Sequence, residues 1–272
     1  MSEVTVAAQD GSRVCLDLEH DGFAVMRGVI SPAQVRELEQ ACDRVCQAHA
    51  NPAKPRSKVE VAGPEALQFD VVRKLACSDR LLHPILQSLG PNIYVNYAGF
   101  TMNPPQAAGK EPMAFHQDGG RISQEQNDAP DPRYSIKVAI WITDGMSLGR
   151  GNFHVIPGSH TWRERPALDL DTVAVPVHVA EGDAIFFERR VWHTRKPNLS
   201  NVTRKVLFFD FAPRWMEPKY PANAALEYDS PLESQLFGNE QGWTAFAPKK
   251  RQLPTLGVIQ RLAIQWPRGV SR

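Results

Sequence analysis

His116 and Asp118 stand two residues apart in the run Phe115-His116-Gln117-Asp118-Gly119-Gly120. On an extended chain that spacing sends an imidazole and a carboxylate to the same side, where both can bind one metal ion. A third ligand is on offer far downstream, in Val191-Trp192-His193. Two histidines and a carboxylate form a facial triad that leaves three adjacent coordination positions open, which suits iron(II) holding a bidentate 2-oxo acid and then dioxygen. A closed structural zinc site would want four protein ligands, usually with cysteine among them. The chemistry expected is therefore oxidation. An H-x-D pair alone is weak evidence, and its weight comes from context. Arg204 follows His193 by eleven residues at the start of an apolar run, where a hairpin would return its guanidinium to the metal pocket. A planar guanidinium binds both oxygens of a buried carboxylate while staying charged.

Those residues need a scaffold of short strands, and one begins near residue 93. Strand-like runs cover residues 93–100, 136–142, 152–156, 173–179, 184–187 and 205–211, with turn signals such as Pro157-Gly158 and Glu181-Gly182-Asp183 between them. Many short strands imply a sandwich or barrel. Val173, Val175, Val177 and Val179 alternate with Ala174, Pro176 and His178, the pattern of a strand with one buried face. Upstream the pattern is helical. Ser31-Pro32-Ala33-Gln34 offers an N-cap serine, a proline at the first helical position and a glutamine placed to complete a capping box. Val35, Leu38, Cys42 and Val45 then recur at helical spacing to about residue 50. A second helix over residues 78–89 would bury Leu82, Ile85, Leu86 and Leu89, with Pro84 in or near its first turn and Gly90 as its stop. Beyond residue 211 the chain turns irregular and proline-rich, with Trp215, Trp243 and Trp266 scattered through it. The expected organisation is one domain over residues 1–272: a helical support region at 1–92, a β core at 93–211 and a wrapping tail at 212–272.

In these features the chain resembles the phytanoyl-CoA-hydroxylase-like branch of the iron(II)/2-oxoglutarate dioxygenases. The matching residues are His116-Gln117-Asp118, the strand Ala139-Ile140-Trp141-Ile142, residues 151–156 leading into Pro157-Gly158-Ser159-His160, the Glu181-Gly182-Asp183 turn, His193 and Arg204, all within residues 95–211. The resemblance implies a mainly β fold, a double-stranded β-helix (jelly roll, cupin-like) with flanking N-terminal helices. It also implies that Arg204 binds the distal carboxylate of 2-oxoglutarate, that Trp141 and Thr203 line that pocket, and that Lys110, ahead of the H-x-D pair, assists. Enzymes of this kind consume dioxygen and 2-oxoglutarate, release succinate and carbon dioxide, and oxidise a small-molecule substrate by hydroxylation, desaturation, epoxidation or ring closure. Halogenation is disfavoured, because Asp118 stands where related halogenases carry a small residue. The expectation is tailoring of a small polar secondary metabolite. A fatty acyl-CoA hydroxylase, a hydrolase or isomerase on the same scaffold, and a non-catalytic jelly-roll binding module are the alternatives.

Composition sets outer limits. The 272 residues are 42% hydrophobic and 22% charged with a net charge of +1, which is ordinary for a globular chain and offers no field for nucleic acid or an acidic membrane. The start has no basic region leading into an apolar run, and no stretch approaches the roughly 18 apolar residues of a membrane span, so a cytoplasmic location is expected. Oligomeric state is left open. Cys15, Cys42, Cys46 and Cys77 are too few for a disulfide framework, and Cys42 lies in an apolar stripe. Among other polar residues, His160 reads as part of a turn, His178 as surface and Trp192 as core, while Lys249-Lys250-Arg251 reads as a solvated run. Arg121, Arg150, Arg163 and Arg165 fall in or near loops that a jelly roll would set around its mouth. Residues 121–133, with Ile122 as their one aliphatic side chain, read as a loop over that mouth.

Overall fold

Nine strands are found among the described residues, and their alternation decides what faces the site. The computed structural model describes residues 3–107, 109, 113–118, 133–162, 168–217, 219–220, 226–238 and 253–265. The strands are β1 (Phe23–Met26), β2 (Val59–Ala62), β3 (Ile93–Asn103), β4 (Ile136–Trp141), β5 (Phe153–Val155), β6 (Val175–Val177), β7 (Ala184–Glu188), β8 (His193–Arg195) and β9 (Arg204–Pro213). They form a six-stranded sheet in the order β1-β7-β4-β9-β3-β2 and a three-stranded sheet in the order β6-β5-β8, antiparallel throughout. This is the expected jelly roll.

Each strand of the large sheet carries two different sequences on its two faces. In β9, Leu207, Phe209 and Phe211 pack with Val138 and Ile140 of β4 in the core beneath the helices, whereas Val206 packs with Trp141 and Ala139 in a second cluster facing the small sheet. Period two therefore also sends Arg204, Phe208 and Asp210 of β9, and Lys137 of β4, toward the small sheet. Burying aromatic and aliphatic side chains on the outer face contributes about 1.5–3 kcal/mol each, which is what lets the inner face carry charges.

The helices cover the outer face. α1 (Glu3–Asp21), α2 (Pro32–Ala48), α3 (Pro64–Leu67), α4 (Asp70–Ala76) and α5 (Asp79–Leu89) precede β3, and α6 (Pro231–Phe237) and α7 (Pro254–Arg261) come from the tail. α2 begins as its sequence dictates: the Gln34 N–H donates to Ser31 Oγ at 3.3 Å and Gln34 Oε1 accepts from the Ser31 N–H at 2.9 Å. α5 ends at Gly90, whose φ of +79° suits a glycine stop. Pro84 lies in the second turn of α5, just past the first, where it removes the N–H that would have met the Arg80 carbonyl.

Several expectations need correction. Residues 1–92 are not purely a helical support, because β1 and β2 from that stretch are the two edge strands of the large sheet. α1 carries β-branched Val4, Thr5 and Val6 and a central Gly11, all poor helix formers, so its sequence signal is weak. Gly11 lies against α5 so closely that a Cβ there would fall 2.1 Å from His83 Nδ1. The valine alternation at 173–179 shrinks to β6. Leu170–Thr172 forms a 3-10 turn, and Val173 and Val175 are left 41% and 40% exposed while Val177 and Val179 are buried. Nor is the tail irregular throughout, since Gln235 of α6 and Thr255 near the start of α7 both donate to the Pro91 carbonyl, at 3.0 and 2.7 Å. Trp243, Trp266 and Lys249-Lys250-Arg251 lie outside the described residues. No helix among the described residues is long and apolar enough to cross a membrane.

Candidate metal centre

His116 and His193 are neighbours through their backbones. Each N–H donates to the other's carbonyl at 3.0 Å, a bridge that adds the His116 segment to the edge of the small sheet beside β8. Their rings therefore project together, with centroids 4.3 Å apart. His116 Nδ1 meets the Ala114 carbonyl and His193 Nδ1 meets the Val191 carbonyl, both at 3.0 Å. A carbonyl can only accept, so both Nδ1 atoms carry the proton and both Nε2 lone pairs are free for a metal. Asp118 completes the group: its carboxylate oxygens lie 3.8 Å from His116 Nε2 and 3.5 Å from His193 Nε2, and the three donors all fall within 4.8 Å of one another. Two neutral imidazole nitrogens and one carboxylate are the donor set that an octahedral iron(II) accepts on one face.

His193 is buried between aromatic rings, stacked on Phe153 at 5.1 Å and edge-on to Phe187 at 5.1 Å. Burial pushes its pKa down to about 4, against the pull of Asp118, so its imidazole stays neutral and ready to ligate. Asp118 responds in the opposite way. Burial alone would raise it, but the Lys137 ammonium 2.9 Å from Oδ2, helped by the two histidines, holds its carboxyl below the ordinary range. Lys137 is itself held above the usual lysine value, because Asp118 and Asp210 outweigh its burial. Sequence reading missed Lys137. The available signal was a lone lysine inside the apolar run Ile136-Lys137-Val138-Ala139-Ile140.

Arg204 does not return by a hairpin. β8 belongs to the small sheet and β9 to the large one, so the chain crosses between sheets at residues 196–203, pinned by Asn198, whose amide donates to the Asn103 and Val202 carbonyls at 2.9 and 2.8 Å. The guanidinium still enters the same cleft, a space of about 260 Å³ lined by His116, Asp118, Lys137, His193, Arg195 and Arg204 among others. Arg204 is 4% exposed and its Nη1 donates to Asn103 Oδ1 at 2.8 Å. Its plane lies over Trp141 at 4.6 Å, and its Nε has no partner among the described residues. Burial, then the charge of Arg195, push its pKa down to about 9. Gly151, at φ +70°, makes room for it: a Cβ there would come 2.8 Å from Arg204 Cδ.

The other expected site residues fare differently. Trp141 lies behind Arg204 and supports it rather than lining the cleft. Thr203 is half-buried and is not among the cleft-lining residues, as befits the neighbour of an inward-pointing Arg204. Lys110 lies outside the described residues, as do Arg121, Arg163, Arg165 and the 121–132 portion of the expected mouth loop. Arg150 pairs with Asp144 at 3.1 Å. His160 is buried in the 3-10 turn Ser159–Thr161 and contacts the Glu19 carbonyl at 3.2 Å, tying that turn to α1. His178 is partly exposed and contacts the Met146 carbonyl. Trp192 is half-buried rather than core. Cys42 and Cys46 lie buried 3.9 Å apart on α2, within the hydrophobic core.

Comparison with known proteins adds to this geometry. The family model described as phytanoyl-CoA dioxygenase (PhyH) matches residues 18–206. The dioxygenase FUM3 of Gibberella moniliformis is 24% identical over 218 residues, 74% of this chain and 71% of that protein. Among solved structures, HygX from Streptomyces hygroscopicus with nickel and 2-oxoglutarate bound superposes with a TM-score of 0.62 at 18% identity, covering 76% of this chain and 88% of that one. The 2-oxoglutarate-dependent epimerase SnoN from nogalamycin biosynthesis gives a TM-score of 0.58 at 19% identity, covering 75% and 83%. Both structural likenesses are likenesses of fold.

Proposed function

Because the chain belongs to the phytanoyl-CoA dioxygenase (PhyH) family of iron(II)- and 2-oxoglutarate-dependent dioxygenases, we propose that it oxidises a small polar metabolite in the tailoring of a secondary metabolite, by hydroxylation or by oxidative cyclisation or desaturation. The observation that carries this reading is the meeting, in one cleft, of the His116–Asp118–His193 donor set with a buried guanidinium, Arg204, that has donors to spare. The dioxygenase reading draws support from the chain's likeness to FUM3, and the tailoring role from its likeness in fold to SnoN, a protein of nogalamycin biosynthesis.

His116, Asp118 and His193 hold the iron, and Arg204 receives the far carboxylate of 2-oxoglutarate. Bound together, iron and 2-oxoglutarate supply an oxidant drawn from dioxygen, with succinate and carbon dioxide released. The remaining work falls to this chain's own side chains. Val191 and Ala114 carbonyls fix which imidazole nitrogen faces the ion, and Phe153 and Phe187 keep water from the His193 side. Trp141 and Asn103 hold the Arg204 fork in one plane before the co-substrate arrives, so little order has to be imposed on binding. Glu60, which accepts from Tyr97 Oη at 2.8 Å, lines another part of the cleft and gives it polar groups for a polar substrate.

The test is to load the protein with iron(II), supply 2-oxoglutarate and dioxygen, and follow succinate while screening metabolites by mass spectrometry under oxygen-18. Succinate formation that needs iron, oxygen and Arg204 together is the expected result. A protein that binds metal yet never turns over 2-oxoglutarate would leave the binding-module alternative standing.

A further inference from the structure

Arg195 is, beside Arg204, a second arginine lining the cleft, and no described carboxylate neutralises it. It follows His193 by two residues on β8, so it points to the same side of the strand, and it lines the cleft with Arg204. Among the described residues the one hydrogen bond of its side chain is a long one, 3.4 Å from Nη1 to the Lys196 carbonyl. Arg204 is similarly underused, with Nη1 on Asn103, its face on Trp141 and Nε unpartnered. The two guanidiniums feel each other, since the charge of Arg195 adds to burial in lowering Arg204. The acids lining the cleft are engaged elsewhere: Asp118 by Lys137 at 2.9 Å, and Glu60 by Lys58 at 2.5 Å and Tyr97 at 2.8 Å. Two like charges in one cleft repel unless an anion stands between them.

We infer that Arg195 and Arg204 jointly clasp the far carboxylate of the co-substrate, which makes Arg195 the residue that selects a dicarboxylic 2-oxo acid over a monocarboxylic one. This rests on reading Arg204 as the co-substrate anchor. A carboxylate has two oxygens with about four lone-pair sites, so one fork leaves acceptor capacity that a second guanidinium can fill. A 2-oxo acid with no second carboxylate offers nothing to either arginine.

Calorimetry on the full chain loaded with nickel(II), which binds without turnover, tests this with 2-oxoglutarate and 2-oxopentanoate as ligands. Arg195→Gln should weaken 2-oxoglutarate by roughly 10- to 100-fold, with Arg195→Lys between it and wild type, because removing a charged partner from a desolvated contact carries losses of that order. Nickel affinity, melting temperature and 2-oxopentanoate affinity should stay close to wild type. If Arg195→Gln binds 2-oxoglutarate within about threefold of wild type while Arg204→Gln loses it, the clasp is wrong and the Arg204 reading stands. If neither variant loses it, the Arg204 reading falls and takes the clasp with it. A loss in Arg195→Gln alone makes Arg195 the sole anchor and overturns the sharing. An equal loss of both ligands would place the effect at the metal rather than the carboxylate, which also overturns it.

Discussion

Lys137 reaches from the large sheet to Asp118, its Nζ 2.9 Å from Oδ2, so one oxygen of the metal-binding carboxylate is already oriented by the protein. Outer partners of this kind are worth about 10- to 100-fold in metal affinity. Removing the ammonium also removes a like charge near the ion, which works the other way. Asp210, directly across from Lys137 in the β4–β9 register, already offsets that charge, so the loss of orientation decides. Lys137→Met should weaken nickel(II) or iron(II) by about tenfold or more, and Lys137→Arg by much less. Equal affinities in calorimetry across all three proteins would show that Asp118 orients itself.

Alanine at His116, Asp118 or His193 should abolish tight metal binding and all turnover, yet the three variants should differ in stability. None belongs to the helix-covered core, so all should fold. His193 fills the space between Phe153 and Phe187, and emptying it should cost about 1–3 kcal/mol more than His116→Ala. Thermal unfolding of the metal-free variants measures this ranking.

Gly151→Ala tests the proposed co-substrate site without touching a charge. The new Cβ would fall 2.8 Å from Arg204 Cδ, at a φ of +70° that costs an L-residue about 1–2 kcal/mol. The melting temperature should drop by about 2–4 °C per kcal/mol, and 2-oxoglutarate affinity should fall by about tenfold as Arg204 is displaced. Metal affinity should hold. Unchanged 2-oxoglutarate binding would mean that the guanidinium can be moved at no loss.

His83, His160 and His193 are all at most 6% exposed, and burial holds each below the ordinary imidazole range, His193 at about 4. Unfolded, they would titrate near pH 6.5. A depressed folded value means the unfolded chain binds more protons below that point, so their contribution is complete above about pH 6.5 and is lost as the pH falls toward 4. The melting temperature of the metal-free protein should therefore decline across that window. A flat profile would contradict the burial of these rings.

The metal residues were legible because their signal is local in type: H-x-D on an extended chain and a later histidine. α2 was legible for the same reason, its capping box being written in four consecutive residues. What escaped depends on partners distant in the chain. β1 and β2 have only four residues each and become strands by pairing with β7 and β3, which their own sequences do not announce. The placing of β8 and β9 in separate sheets is likewise a property of the whole topology. Lys137 acquires its meaning from Asp118, and Arg204 its rigidity from Asn103, 101 residues upstream.

The mutual backbone bridge between His116 and His193 also bears on the order of events in time. Seventy-seven residues separate the two, yet the pair of 3.0 Å bonds that joins them is main-chain to main-chain and needs no ion. The expectation is therefore that folding assembles the site and that the metal binds afterwards, clipping a long loop that the bridge already closes. An ion that binds only the finished structure stabilises it by mass action and slows its unfolding, while leaving the climb to the folding barrier untouched. Refolding rates with and without nickel(II) should coincide, and unfolding alone should slow. Metal-accelerated refolding would instead put the ion in the nucleus, as a template on which the two sheets first meet.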